Sequence, residues 1–309
     1  MITTKKYLFA TKNLFLNIFV YIILSGVAFV IIAPLISIVS QSFMSPSDVM
    51  NPLVYLVPRA LTTYNIENAF AFTEYATRLP YTILFSAGMM LLQTFICSMV
   101  GYGFARFRFP GRNVLFICVV LTIVVPVQTV VVPMFMQFRY FDFFGVLTLF
   151  NAEPVNFANS AVPITMLTAS GMGIRSGLYI FLFRQFFRGL PREIQEAATI
   201  DGAGTFYTYS RIMLPNAAPP IITVMLFSFV WQFNDTYFAS LFMSRNNLLS
   251  IALSNLTHNY GMSLAHWNVT NIVLVVNAGV LICIVPLLII YLIIQRYFIE
   301  GIETSGIVG

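Results

Sequence analysis

The chain has 309 residues, 59% of them hydrophobic and only 9% charged, where a soluble domain carries about 25% charged residues. Such a chain cannot cover itself with polar surface in water, and a mean hydropathy of +0.85 agrees, so soluble globular folds are excluded. The net charge of +5 bears on membrane topology rather than on nucleic acid, because in a membrane chain the placement of Lys and Arg matters more than their sum.

A helix crosses a hydrocarbon core of roughly 30 Å with about 20 apolar residues, whereas barrel strands need about 10 in alternation. Charge-free runs cover 14–45, 79–105, 113–138, 154–174, 212–234 and 267–295, and none alternates with period two. They predict an all-α membrane protein of six transmembrane helices, near 14–39, 81–105, 114–137, 161–187, 217–243 and 269–294. The predicted organisation is a cytoplasmic N-terminus (1–13), a first transmembrane helix (14–39) and an extracytoplasmic loop (40–80). A core of five further helices (81–296) follows, with a cytoplasmic loop at 188–216 and a cytoplasmic tail at 297–309. Lys5, Lys6 and Lys12 precede an apolar stretch longer than the 7–15 residues or so of a secretory h-region, which reads as a retained span.

With both termini cytoplasmic, Lys5, Lys6, Lys12, Arg106, Arg108, Arg112, Arg184, Arg188, Arg192, Arg211 and Arg296 fall inside or at the inner boundary. Arg59, Arg78, Arg139 and Arg245 fall outside and Arg175 lies within the membrane, as the positive-inside rule requires. The outer loops 41–80 and 244–268 show no low-complexity tract and read as ordered caps.

Within the third run, Pro126 and Pro133 predict a kinked helix with Gln128 facing the bundle. The fourth is interrupted by Arg175 and Arg184 and loosened by Gly171, Gly173 and Gly177. In the fifth, Phe227, Trp231, Asn234, Asp235 and Phe238 fall at i, i+4, i+7, i+8 and i+11 and would share one helical face. Aromatic faces with Asn and Asp suit a carbohydrate route, and Asp235 is the natural counter-charge for Arg175. Helix–helix packing is the plainer reading of the same residues.

Cys97, Cys118 and Cys283 sit in apolar runs without CxxC spacing, and His258 and His266 have no carboxylate beside them. No metal, cofactor or catalytic residue is therefore expected. Arg175, Arg184 and Asp235 are the ionisable groups in the spans, which gives no proteolytic dyad, and no GxxxxGK[ST] loop occurs. A secondary transporter would be expected to show inverted repeats, and none is visible.

The loop at 188–216 is the most informative stretch. Pro191 suits the first turn of a helix, Glu193 and Glu196 complement its N-terminus, and Ala197 and Ala198 give it a smooth face. Asp201-Gly202 should end that helix, with Asp201 capping a second one. The result is a helix-turn-helix with an Ala patch edged by carboxylates, a shape that suits a groove on a partner protein.

Glu196-Ala-Ala, Asp201-Gly202 and Ile212-x-Leu-Pro215, with nine residues between Gly202 and Ile212, resemble the EAA loop of ABC importer permeases. The stretches 101–112, 126–133 and 295–301 are similar to the second-span exit, third span and C-terminal exit of maltose-type carbohydrate permeases. The resemblance implies a type I ABC importer permease in the cytoplasmic membrane of a prokaryote, passing a sugar or oligosaccharide inward. Its implied partners are a second permease (a heterodimer), two ABC ATPase subunits and an extracytoplasmic sugar-binding protein. Glu196, Ala197, Ala198, Asp201, Gly202, Ala203, Leu214 and Pro215 would form the ATPase-coupling loop. The outer loop with Asn247 and Asn259 would meet the binding protein. A permease for another solute is the alternative reading.

Overall fold

Long runs of Leu, Ile, Val and Phe build three helices that absorb an internal proline without breaking. These are α1 (Ile2–Ser42, with Pro34), α3 (Tyr75–Arg106, with Pro80) and α13 (Val269–Gly306, with Pro286). The computed structural model describes residues 2–150, 153–243, 248–264 and 268–306, and side chains for these other than 2–16, 144 and 296–306. Among the described residues the chain is helical, and the one β pairing is an isolated bridge between Phe141 and Val155. The all-α expectation holds.

Two compact units emerge, Met1–Thr73 with Asn255–Ile284 and Glu74–Ser254 with Val285–Gly309. In the first, α1 is exposed along most of its apolar stretch Asn17–Ser42 and becomes buried only at Ser40 and Ser42. The loop after it is ordered: in α2 (Tyr64–Phe72), the buried Asn65 donates Nδ2 to the Ser42 and Met44 carbonyls at 3.2 and 2.8 Å. Asn277 Nδ2 donates to Gln41 Oε1 at 2.6 Å.

In the second unit α3 is central, packed against α7 (Ser176–Gly189) and α10 (Ala218–Asn234). Gly101 sets the α3–α7 approach, because a Cβ there would lie 2.6 Å from Phe183 Cβ. One apolar cluster gathers Met89, Phe138, Phe238 and Phe242, and another gathers Tyr102, Tyr179, Phe183, Phe187 and Met213.

Three predicted spans are interrupted rather than continuous. The third divides into α4 (Arg112–Val124), a 3-10 turn at Val127–Thr129 and α5 (Val131–Arg139). Pro126 has no N–H to continue the helix, and the Thr129 hydroxyl caps the Pro126 carbonyl at 2.7 Å. The fourth divides into α6 (Val162–Ala169) and α7, separated by a glycine-bearing turn. The fifth ends at Asn234, and a short α11 (Tyr237–Phe242) follows. The outer segment 244–268, expected as a loop, contains α12 (Leu249–Ser263). Among the described residues, three helices are long and apolar enough to cross a membrane unbroken: Asn17–Ser42, Tyr75–Arg106 and Val269–Gln295.

Candidate functional site

Two places in the second unit gather the residues singled out by sequence. The first is the polar loop between α7 and α10. Leu190 is pushed into extended backbone (ψ 144) by the following proline. Pro191 therefore lies in the linker, not in the first helical turn as expected, and α8 (Glu193–Ile200) begins after Arg192. Glu193 and Glu196 are exposed at its start.

At the other end of α8, Asp201 closes the helix instead of capping the next one. Gly202 sits at φ +77, its N–H donates to the Thr199 carbonyl at 3.1 Å, and the Ala203 N–H donates to the Ala198 carbonyl at 2.9 Å. This is a Schellman closure, and it places glycine where an L side chain is disfavoured. The two alanines separate: Ala197 is exposed and Ala198 is buried. The outward surface is completed by Ile200, Phe206 and Tyr207, which are 85%, 64% and 59% exposed.

The return limb α9 (Thr205–Asn216) contains a π-helical stretch, Thr208–Met213, which buries Thr208, Tyr209 and Met213. Leu214 packs against the Tyr102 cluster, Pro215 is exposed, and the chain bends by 82° between α9 and α10.

The second place is the break between α6 and α7, beside the end of α10. Arg175 adopts left-handed backbone (φ 61), and its guanidinium carbon lies 4.5 Å from the Trp231 ring centroid. Asp235 does not pair with it. Both Asp235 carboxylate oxygens are taken by the start of α11, accepting from Phe238 N–H at 3.2 Å and Ala239 N–H at 2.9 Å. Among the described residues the one ion pair is Arg78–Glu74 at 3.2 Å.

The predicted five-residue stripe is also interrupted, because the helix ends before Asp235. Phe227, Trp231 and Asn234 are exposed, whereas Phe238 is 8% exposed and stacks on Phe242 in the core. Gln128 lies in the 3-10 turn and is exposed, not turned into the bundle of this chain. Asn259 is exposed on α12, and Asn247 lies outside the described residues.

Sequence reasoning passed over the polar cluster that holds this break. Gln93 Nε2 donates to the Ile174 carbonyl at 2.6 Å and to Ser176 Oγ at 2.9 Å, and Ser228 Oγ donates to Gln93 Oε1 at 2.6 Å. Gln93 and Ser228 are 0% exposed. The available signal was a lone amide in a charge-free run, which must find partners inside the bundle.

Apolar helices long enough to cross a bilayer, with a carboxylate-edged helix-turn-helix left exposed beside them, define an integral membrane protein. The family of binding-protein-dependent transport system inner membrane components matches residues 95–303, more than half of the chain, and the chain belongs to that family. It is 28% identical over 290 residues to the arabinooligosaccharide transport permease AraQ of Halalkalibacterium halodurans, covering 92% of this chain and 93% of that one. It is 30% identical over 214 residues to the alpha-glucoside transport permease AglG of Rhizobium meliloti, covering 69% of this chain and 52% of the relative. A solved chain of a bacterial ABC transporter that imports the acidic polysaccharide alginate shares the fold. There the TM-score is 0.69 at 22% identity, over 91% of this chain and 96% of that one.

Proposed function

We propose that this chain is one of two permease subunits of an ATP-driven importer that passes a sugar or oligosaccharide across a prokaryotic cytoplasmic membrane. ATP is hydrolysed by two separate ABC subunits, and an extracytoplasmic binding protein delivers the cargo. The second permease is a different chain, giving a heterodimer. The observation that carries this reading is the exposed α8 turn in a chain of the binding-protein-dependent family. The sugar class follows from relatives such as AraQ and AglG, which carry arabinooligosaccharides and alpha-glucosides.

In this reading the membrane is crossed six times, by α1, α3, α4 with α5, α6 with α7, α10 and α13, with both termini in the cytoplasm. α8 is the coupling helix: Glu193, Glu196, Ala197 and Ile200 present a docking surface, and Gly202 sets the turn that carries it. The exposed Arg175, Trp231, Phe227, Asn234 and Gln128 belong to the route or to the surface facing the second permease. An arginine facing lipid at the bilayer centre costs about 2.5–3.5 kcal/mol on insertion scales, which supports a polar environment for Arg175. Asn259 faces the binding protein.

The test is reconstitution in proteoliposomes with the second permease, the ATPase and the binding protein. Import of arabinotriose or maltotriose should require ATP and every partner. Cysteine at Asn259 should cross-link to the binding protein. Import without the ATPase subunits, or capture of an ATPase by Asn259→Cys, would overturn the reading.

A further inference from the structure

Both limbs of the α8 loop are tied to one short stretch of α3. Arg106 is the last residue of α3, and its Nη2 donates to the Leu190 carbonyl at 2.7 Å and reaches the Pro191 carbonyl at 3.5 Å. Leu190 caps the C-terminus of α7, where free carbonyls and the helix dipole favour a cation. The entry limb of the loop is thereby held by a charge-assisted hydrogen bond.

The exit limb is held two turns earlier on the same helix. Ser98 Oγ donates to the Phe95 carbonyl at 2.9 Å, which uses its single proton, so across the 2.7 Å contact it is the Tyr209 hydroxyl that donates to Ser98 Oγ. Tyr209 is 2% exposed, and its ring lies 5.3 Å from that of Tyr102, which also packs on Phe187 at 5.5 Å. Gly101, between these two ties, admits the α7 backbone so closely that no side chain fits.

We infer that Arg106, with Tyr209 as its counterpart on the exit limb, is a positioning residue that fixes the α8 loop to α3 so that loop and helix move as one body. This rests on the reading of α8 as the coupling helix. Thirteen residues before Arg106 on the same helix stands Gln93, a helical rise of about 20 Å, and it holds the α6–α7 break and α10 through Ile174, Ser176 and Ser228. A displacement applied at α8 is therefore delivered along α3 to that break rather than absorbed by bending of the loop. An arginine at this position is chosen for its reach and its fork of donors as well as for its charge.

The experiment uses the full complex in proteoliposomes and measures how strongly binding protein loaded with arabinotriose stimulates ATP hydrolysis. Arg106→Gln should assemble and lower that stimulation roughly tenfold, the scale set by losing a hydrogen bond from a charged donor. Arg106→Lys should recover most of the stimulation, since one ammonium can still reach the Leu190 carbonyl. Tyr209→Phe keeps the packing and removes the Ser98 bond, and a loss of roughly threefold is expected.

Gly202→Val serves as the control for the coupling reading. If Gly202→Val abolishes stimulation while Arg106→Gln and Tyr209→Phe both match wild type, the α3 tie is refuted and the coupling helix stands. If all three match wild type, the coupling reading itself falls. Loss of assembly in Arg106→Gln without rescue by Arg106→Lys, together with normal stimulation in Tyr209→Phe, would assign Arg106 a folding role only and overturn the inference.

Discussion

The chain breaks its helices on either side of α7 with one and the same backbone closure, and only one of the two breaks takes a further partner. At residues 170–176 Gly171 (φ +77) donates its N–H to the Thr168 carbonyl at 3.1 Å and Met172 N–H donates to the Leu167 carbonyl at 2.8 Å. Another helix then joins in: Gln93 of α3 donates to the Ile174 carbonyl and the Ser176 hydroxyl, and Ser228 of α10 closes the cluster. At 201–204 the closure through the Gly202 and Ala203 N–H groups stands alone. Inside the packed bundle the backbone closure leaves the Ile174 carbonyl beyond it, and a side chain from a neighbouring helix takes it up. In the exposed turn the backbone closure is enough, and Glu196, Ala197 and Ile200 are left uncommitted. The first break is a junction, and the second is a surface.

The largest expected effect comes from dismantling the junction. Gln93→Leu strands the Ile174 carbonyl and the hydroxyls of Ser176 and Ser228 in an apolar interior, at a cost of about 3 kcal/mol. The thermal midpoint of the detergent-solubilised complex should fall by several degrees, and an unchanged midpoint would mean that the break is held by its own backbone closure and packing alone.

Next comes the self-closed turn. Gly202→Val forces a β-branched residue to φ +77, costing about 1–2 kcal/mol locally. Because that turn is exposed, assembly should survive while binding-protein-stimulated ATPase is lost. A drop in assembly with normal stimulation of the surviving complexes would make this turn a folding element like the first.

The smallest effect is expected at Asp235. Asp235→Ala removes the acceptors for the Phe238 and Ala239 N–H groups, worth about 1 kcal/mol by analogy with helix caps. The stability of the complex should fall slightly and sugar preference should not change. A changed ranking of arabinotriose against maltotriose in uptake would instead place this carboxylate in the route.

The loop at 188–216 was the part most legible in the sequence, because glycine at a helix end and carboxylates at a helix start have local causes that spacing reveals. Helix type was legible for the same reason wherever apolar runs were long. The residues read from sequence as a route were not. The stripe from Phe227 to Phe238 assumed one continuous helix, yet Asn234 and Asp235 are residue types that favour helix ends and caps, and the helix stops there. Pairing Asp235 with Arg175 counted charges without asking which backbone N–H groups would claim the carboxylate first. Arg106 was visible only as a topology marker, because its partner lies 84 residues away in the chain. Gln93 went unnoticed because its partners at Ile174, Ser176 and Ser228 depend on tertiary packing that no periodicity reports.

The π-helical stretch Thr208–Met213 has a consequence for how this loop could vary. Such a stretch accommodates one residue more than an α-helix of the same height, and each residue turns a helix by about 100°. Deleting a single residue between Thr208 and Met213 would let the segment relax to an ordinary α-helix and swing everything before it around the axis by that angle. Tyr209 would leave its seat against Tyr102 or, if it stayed, Phe206 and Tyr207 would face a new direction. The aim of the exposed turn is thus written in a residue count, and a change of length there would point its surface elsewhere without altering a single side chain on the turn.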